Sequence, residues 1–185
     1  MVVPAQAPWS TLDADGKRLR LLEAAEAVFA RDGVDAPVPS IAAAAGAGVG
    51  SVYRAFASKD EIVCALAAER LHWVLERARE AREAPDPWAG LEGLLRVIAD
   101  RQMADGVLNE ALAAAFQRPD LAEPLAAATA AVDKVLDRVR ADGGLRTEIT
   151  TDELRALFTG LRAADAAQPG SGGKLLDLVL AGLRA

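Results

Sequence analysis

The sequence predicts an all-α protein of about nine helices, and three observations carry that reading. Its 185 residues are 52% hydrophobic but only 4% aromatic. Alanine and leucine supply most of that apolar content, and both form helices well, whereas strands draw on β-branched and aromatic residues. Apolar residues also recur at helical spacing in one segment after another, and no stretch alternates convincingly as a half-buried strand would.

The elements follow in order. Residues 1–14 read as a flexible tail in which Trp9 is placed to pack back on the body. From Lys17 to Arg31, Leu21, Leu22, Ala25, Val28 and Phe29 form one buried stripe, and Gly33 suits a left-handed stop. The connection VDAPVPS holds two prolines, which fit a helix only at its first turn. IAAAA then makes a very short helix closed by Gly46, and SVYRAF a third that starts at Gly48 or Val49. SKDE at 58–61 is a capping box, Ser58 with Glu61, opening a long helix to about Ala84 with Ile62, Leu66 and Trp73 on its apolar side.

APDPW breaks the chain, with Asp86 as cap and Pro87 in the first helical position. Helices are expected over about 88–103, 107–117 and 121–142, the last ending at Gly143-Gly144. ITTDEL is a second capping box, Thr150 with Glu153, stapled by Ile149 and Leu154, and it opens a helix over about 151–163. AAQPGSGG reads as a flexible loop before a last, strongly apolar helix in KLLDLVLAGLRA.

Bulk chemistry removes several function classes. No run reaches the roughly 18–20 apolar residues of a membrane span, and the N-terminus has neither the basic start nor the apolar stretch of a secretory signal. One cysteine, Cys64, and one histidine, His72, leave no internal disulfide and no His/Cys metal cluster. A cytoplasmic protein with no metal or cofactor is expected. The net charge of −6 argues against indiscriminate coating of nucleic acid. Residues 1–59 carry six basic and six acidic side chains, so the deficit lies entirely in the remainder. A neutral head on an acidic body can still grip DNA locally.

Gly46, Gly48 and Gly50 look at first like a phosphate-cradling loop. A dinucleotide fingerprint needs G-x-G-x-x-G between a buried strand and a helix. Counted from Gly46 the sixth position is Ser51, and counted from Gly48 it is Tyr53. The preceding IAAAA lacks the β-branched residues of a parallel strand. A helix-turn-helix satisfies the same letters: Ala42 lets two short helices approach, and Gly46 tolerates positive φ in the turn. Phe29, Ile41, Val52 and Phe56 complete a small core around it.

RLLEAAEAVFARDGV and IAAAAGAGVGSVYRAFASKDEIV together resemble the TetR family of transcriptional regulators. The matching positions include Ala25, Phe29, Gly33, Ile41, Ala42, Ala45, Gly46, Gly50, Tyr53, Phe56, Ser58, Lys59 and Asp60, over about residues 17–65. Ala47 stands where the family usually has valine, and Pro37 where a Ser or Thr cap is usual. The resemblance implies a tail over 1–14, a helix-turn-helix DNA-binding domain over 15–60 with its motif at about 38–57, and a ligand-binding and dimerisation domain over 61–185.

It also implies residue roles. The third helix enters the major groove of a double-stranded operator, with Val49, Gly50, Ser51, Tyr53 and Arg54 at the DNA and Lys59 on a phosphate. Lys17 and Arg18 are placed as solvated charges. In the body, where the family encloses a small-molecule effector, the candidates are Trp73, Arg101, Gln102, Met103 and Phe116. The last two helices carry more apolar surface than one small bundle hides, and Leu154, Leu157, Phe158, Leu161, Leu175, Leu178 and Val179 are assigned to a two-fold homodimer. The function implied is a ligand-responsive, non-enzymatic repressor. The alternative is a helical small-molecule-binding protein or small enzyme whose head no longer binds DNA.

Overall fold

The computed structural model describes residues 8–104, 106–146 and 148–185. The first seven residues of the expected tail lie outside them. Among the described residues there are nine α-helices and no strand longer than a single bridge.

A 3-10 turn at Trp9–Thr11 leads into α1 (Ala14–Asp32), whose N-terminus Asp13 caps by accepting from the Gly16 amide at 2.8 Å. Trp9 is half-buried against the first core. Gly33 ends α1 with φ 82° and ψ 164°. The positive φ was expected, but the extended ψ puts this stop in a region essentially confined to glycine rather than in the left-handed helical well.

Helix α2 (Val38–Ala45) begins three residues earlier than the sequence reading placed it. Pro37 sits just outside and Pro39 in the first turn, positions where a missing amide proton costs nothing. At its end the Gly46 amide bonds Ala43 O at 3.1 Å and the Ala47 amide bonds Ala42 O at 2.9 Å, the paired closure of a Schellman turn around a left-handed Gly46. After this bend comes α3 (Val49–Ala55), with Gly48 at its N-cap.

Ser58 then caps α4 (Lys59–Glu83), accepting from the Glu61 amide at 3.1 Å. The Glu61 carboxylate reaches one residue further back than a standard box and accepts from the Ala57 amide at 2.6 Å. Twenty-five residues make α4 about 37 Å long at 1.5 Å per residue.

The body adds α5 (Pro87–Ala104), α6 (Gly106–Ala115), a 3-10 turn at Pro119–Leu121, α7 (Ala122–Ala141), α8 (Thr151–Ala167) and α9 (Ser171–Leu183). Asp86 caps α5 through the Trp88 and Ala89 amides, and Thr150 with Glu153 forms the full reciprocal box that opens α8. The expected flexible loop over 166–173 shrinks to three residues. Helix α8 runs on to Ala167, and the Asp165 carboxylate accepts from the Gly170 and Gly172 amides at 2.8 and 3.2 Å, fixing the start of α9. At the chain end, Arg146 N–H bonds Leu183 O and Ala185 N–H bonds Gly144 O, tying the last residues to the α7–α8 link.

Two apolar clusters result. One joins α1, α2 and α3 to the first half of α4 and extends to Leu112, Ala115, Leu121 and Ala128 of the body. The other joins the second half of α4 to α5, α7, α8 and α9. Helix α4 belongs to both, and so its rigid length links head to body.

Candidate nucleic-acid interface and body cavity

The head presents α3 to solvent by simple periodicity. Val52 and Phe56, four residues apart, are buried with Phe29, Ile41 and Ala42. That geometry turns Val49 and Tyr53 outward, at 39% and 54% exposure, beside exposed Gly50 and Arg54. Ser51 is half-buried, and its hydroxyl accepts from Arg54 Nη2 at 3.0 Å. One exposed helical face thus gathers an aromatic hydroxyl, a hydroxyl–guanidinium pair and a glycine backbone open to close approach. Such groups can bond base edges and phosphate oxygens.

Lys59 lies beside that face on the first turn of α4, but its ammonium is half-buried and donates to Ala36 O at 3.3 Å. It bridges the α1–α2 link to α4 as the structure stands. Arg18 departs from its reading as a solvated charge. Its Nη1 donates to Ala55 O at 2.8 Å, and its guanidinium lies over the Phe56 ring, 4.2 Å from the centroid. It thereby satisfies a carbonyl at the C-terminal end of α3 and locks that helix to α1. Lys17, Arg18, Ser51 and Arg54 share the rim of one groove between the two helices.

In the body, a cavity of about 120 Å³ opens behind α4. Trp73, Gln102 and Phe116 line it, as three of the five candidate effector residues. Arg101 and Met103 do not. Arg101 instead donates to Glu26 on α1 at 2.7 Å and stacks over Trp73, 4.8 Å from the ring centroid, while Met103 packs against Gly172 of α9. The sequence reading passed over Arg70, Thr129 and Thr151, which line the cavity, as does Phe158, which it had assigned to the dimer face. Arg70 left a signal: it interrupts the apolar stripe Ile62, Leu66, Trp73 at the position where another apolar residue belongs. Thr151 is buried, and its hydroxyl donates to the Asp133 carboxylate at 2.6 Å.

The dimer assignment divides by helical face. Leu154, Phe158 and Leu161, spaced four and three apart, form the inward stripe of α8 and are buried in the protomer's own core. They offer no area to a second copy. Leu157 and Val179 are half-buried, whereas Leu175 and Leu178 stand 40% and 69% exposed. His72 is exposed, Cys64 is buried with its thiol pKa pushed up by desolvation, and neither lines the cavity. Among the described residues no His, Cys, Asp and Glu cluster could hold a metal ion, and no helix is long and apolar enough to cross a membrane.

Residues 21–66 match the family model of bacterial regulatory proteins, tetR family. Over the whole fold, the chain is similar to a TetR transcription regulatory protein from Mycobacterium vanbaalenii (28% identity, TM-score 0.70, covering 94% of this chain and 98% of that one). It is similar as well to a TetR transcriptional regulator from Streptomyces coelicolor (26%, TM-score 0.71, 90% and 98%). A third likeness is to a protein solved under the description of control of antibiotic production by bacterial hormones (25%, TM-score 0.69, 91% and 97%). No curated protein matches the chain.

Proposed function

We propose, for a chain that is a DNA-binding transcriptional regulator with a TetR-family head on a TetR-type helical fold, that it acts as a homodimeric repressor released from its operator by a small molecule. The observation that carries this reading is the outward face of α3, held away from the core by the Gly46 bend and the buried pair Val52 and Phe56. Ser51, Tyr53 and Arg54 meet the DNA, with Val49 and Gly50 allowing close approach. Arg54 supplies the single cation on that face and carries most of the base discrimination, about 1–3 kcal/mol for a good bidentate contact.

The exposed leucines of α9 and the half-buried Leu157 and Val179 pair two copies across a two-fold axis. Two heads then reach half-sites about 34 Å apart on a pseudo-palindrome. Helix α4 transmits the effector signal, because it is capped at Ser58 beside α3 and lines the cavity with Arg70, Trp73 and Val74. A ligand that fits one arrangement of α4 better than the other shifts the population between them by that difference in affinity.

The experiment is a titration of the intact protein against DNA flanking its own gene at several salt concentrations. Saturable binding is expected, with a log–log salt slope of roughly −0.9 per phosphate neutralised, and Arg54→Ala should weaken it by about ten- to a hundredfold. An Arg54→Ala protein that binds as well as the original removes α3 from the interface. The second reading, a ligand-binding protein whose head no longer engages DNA, is favoured by the net charge of −6 and the lone cation on α3. It predicts no preference for that DNA over unrelated sequence.

A further inference from the structure

Two compartments meet behind α4, and their linings differ in chemistry. The inner one, of about 120 Å³, is walled mainly by aliphatic and aromatic side chains, Trp73, Ile98 and Phe158 among them. That volume is near the roughly 150 Å³ of an apolar cavity that stays dry and admits benzene. The outer one, of about 480 Å³, is lined by Arg70, Arg155 and Arg162 together with the amides of Gln102, Asn109 and Gln117. Its described lining side chains include no carboxylate, and the acids that pair with Arg70 and Arg155, Glu26 and Asp152, stand outside that lining. Arg70, Gln102, Phe116 and Arg155 border both compartments, so the two form a single site with an apolar end and a basic end.

Arg70 also reaches out of the site. Its Nη2 lies 3.6 Å from the Glu26 carboxylate of α1, the same carboxylate that Arg101 holds at 2.7 Å. Arg70 is only 8% exposed, on the helix that links head and body.

We propose that this site takes a small amphipathic carboxylate, one aromatic ring or a short branched chain bearing a single carboxylate, whose anion draws Arg70 away from Glu26. The apolar group fills the inner compartment. A charged group buried without a partner is costly, and a guanidinium at the junction offers two parallel N–H bonds to the carboxylate. Glu26 keeps Arg101, so the exchange strands no charge. One polar tie between α1 and α4 is lost while Glu26 keeps its tie to α5, and the seating of the head on the helix that lines the site shifts within their shared apolar core. The inference rests on the regulator reading above and supplies its effector class and the contact through which the effector acts.

The test is calorimetric titration of the full-length protein, without DNA, using phenylacetate and 3-methylbutanoate and their uncharged primary amides. At least one acid should bind tenfold or more tightly than its amide. Glu26→Gln removes one competitor for Arg70, so it should tighten binding of that acid several-fold and leave the amide unchanged. Arg70→Met should abolish the preference; if that protein fails to fold, the Glu26→Gln result decides. Equal affinity for acid and amide, binding of neither, or a Glu26→Gln protein no tighter for the acid overturns the inference. A DNA retardation assay on the same samples separates the failures. DNA binding with no acid preference rejects the exchange alone, whereas acid-selective binding with no DNA binding supports the exchange and rejects the regulator.

Discussion

Replacing Gly46 by alanine perturbs the bend and nothing around it. Gly46 lies at φ 68° and ψ 30°, and a Cβ built there meets no atom within 4 Å. Neighbouring side chains therefore add no steric penalty, and the cost is that of the backbone: roughly 1–2 kcal/mol for a left-handed residue carrying a Cβ. Gly48, two residues on, supplies the control. It lies at φ −79° and ψ 148°, a conformation open to any residue, also with nothing within 4 Å. Alanine there gains about 0.4–1 kcal/mol from a less flexible unfolded chain, but it is a poorer N-cap than glycine. The two effects oppose, and the net change should lie within about 0.5 kcal/mol of zero. Urea unfolding followed by circular dichroism measures both. With a slope of about 2 kcal/mol/M, the Gly46→Ala midpoint falls by roughly 0.5–1 M, while Gly48→Ala barely moves. Equal losses at both positions, or a loss above about 4 kcal/mol at Gly46, would mean that packing rather than left-handed geometry holds the turn.

Gly90→Ala places a methyl group against the Ala81 carbonyl oxygen and the Ala84 Cβ, where α5 crosses the end of α4, and should cost about 1–3 kcal/mol by overpacking. A melting temperature unchanged from the parent refutes that close approach. Leu178→Asp should raise the dimer dissociation constant at least tenfold in sedimentation equilibrium while protomer stability stays within about 0.5 kcal/mol; a dimer that persists moves the interface off α9. The Glu153 carboxylate accepts from the Thr150 amide at 2.7 Å and from its hydroxyl, which holds its pKa below the ordinary value. Its contribution to stability is therefore complete above about pH 4.3 and fades as pH falls through the lower folded-state value. Glu153→Gln should flatten the acid limb of the stability profile, and an unaltered limb contradicts the cap.

How much could be read before folding depended on the range of the interaction. The Gly46 bend, the Ser58 and Thr150 caps and the inward pair Val52 and Phe56 were legible because each is set by residues within about four positions of one another. The same locality explains the errors. A helix start at Ile41 missed the first turn, since prolines argue against a helix interior but not against its opening residues. The loop at 166–173 read as flexible from composition, yet Asp165 tethers it through two amides.

Local order along the chain thus dictated the helices of the described residues, the Ser58, Asp86 and Thr150 caps and the bend that presents α3, because these follow from dihedral preference and helical period. The tertiary structure alone decided which side of α8 faces inward, burying Leu154, Phe158 and Leu161, and left Leu175 and Leu178 of α9 outside while burying Leu176, Leu180 and Leu183. It alone brought Arg70 and Arg101 to Glu26, contacts that span 44 and 75 residues of sequence. Nothing in a single helical period specifies a partner so distant. That choice belongs to the packing of α4 and α5 against α1, and with it comes the connection between the cavity and the head.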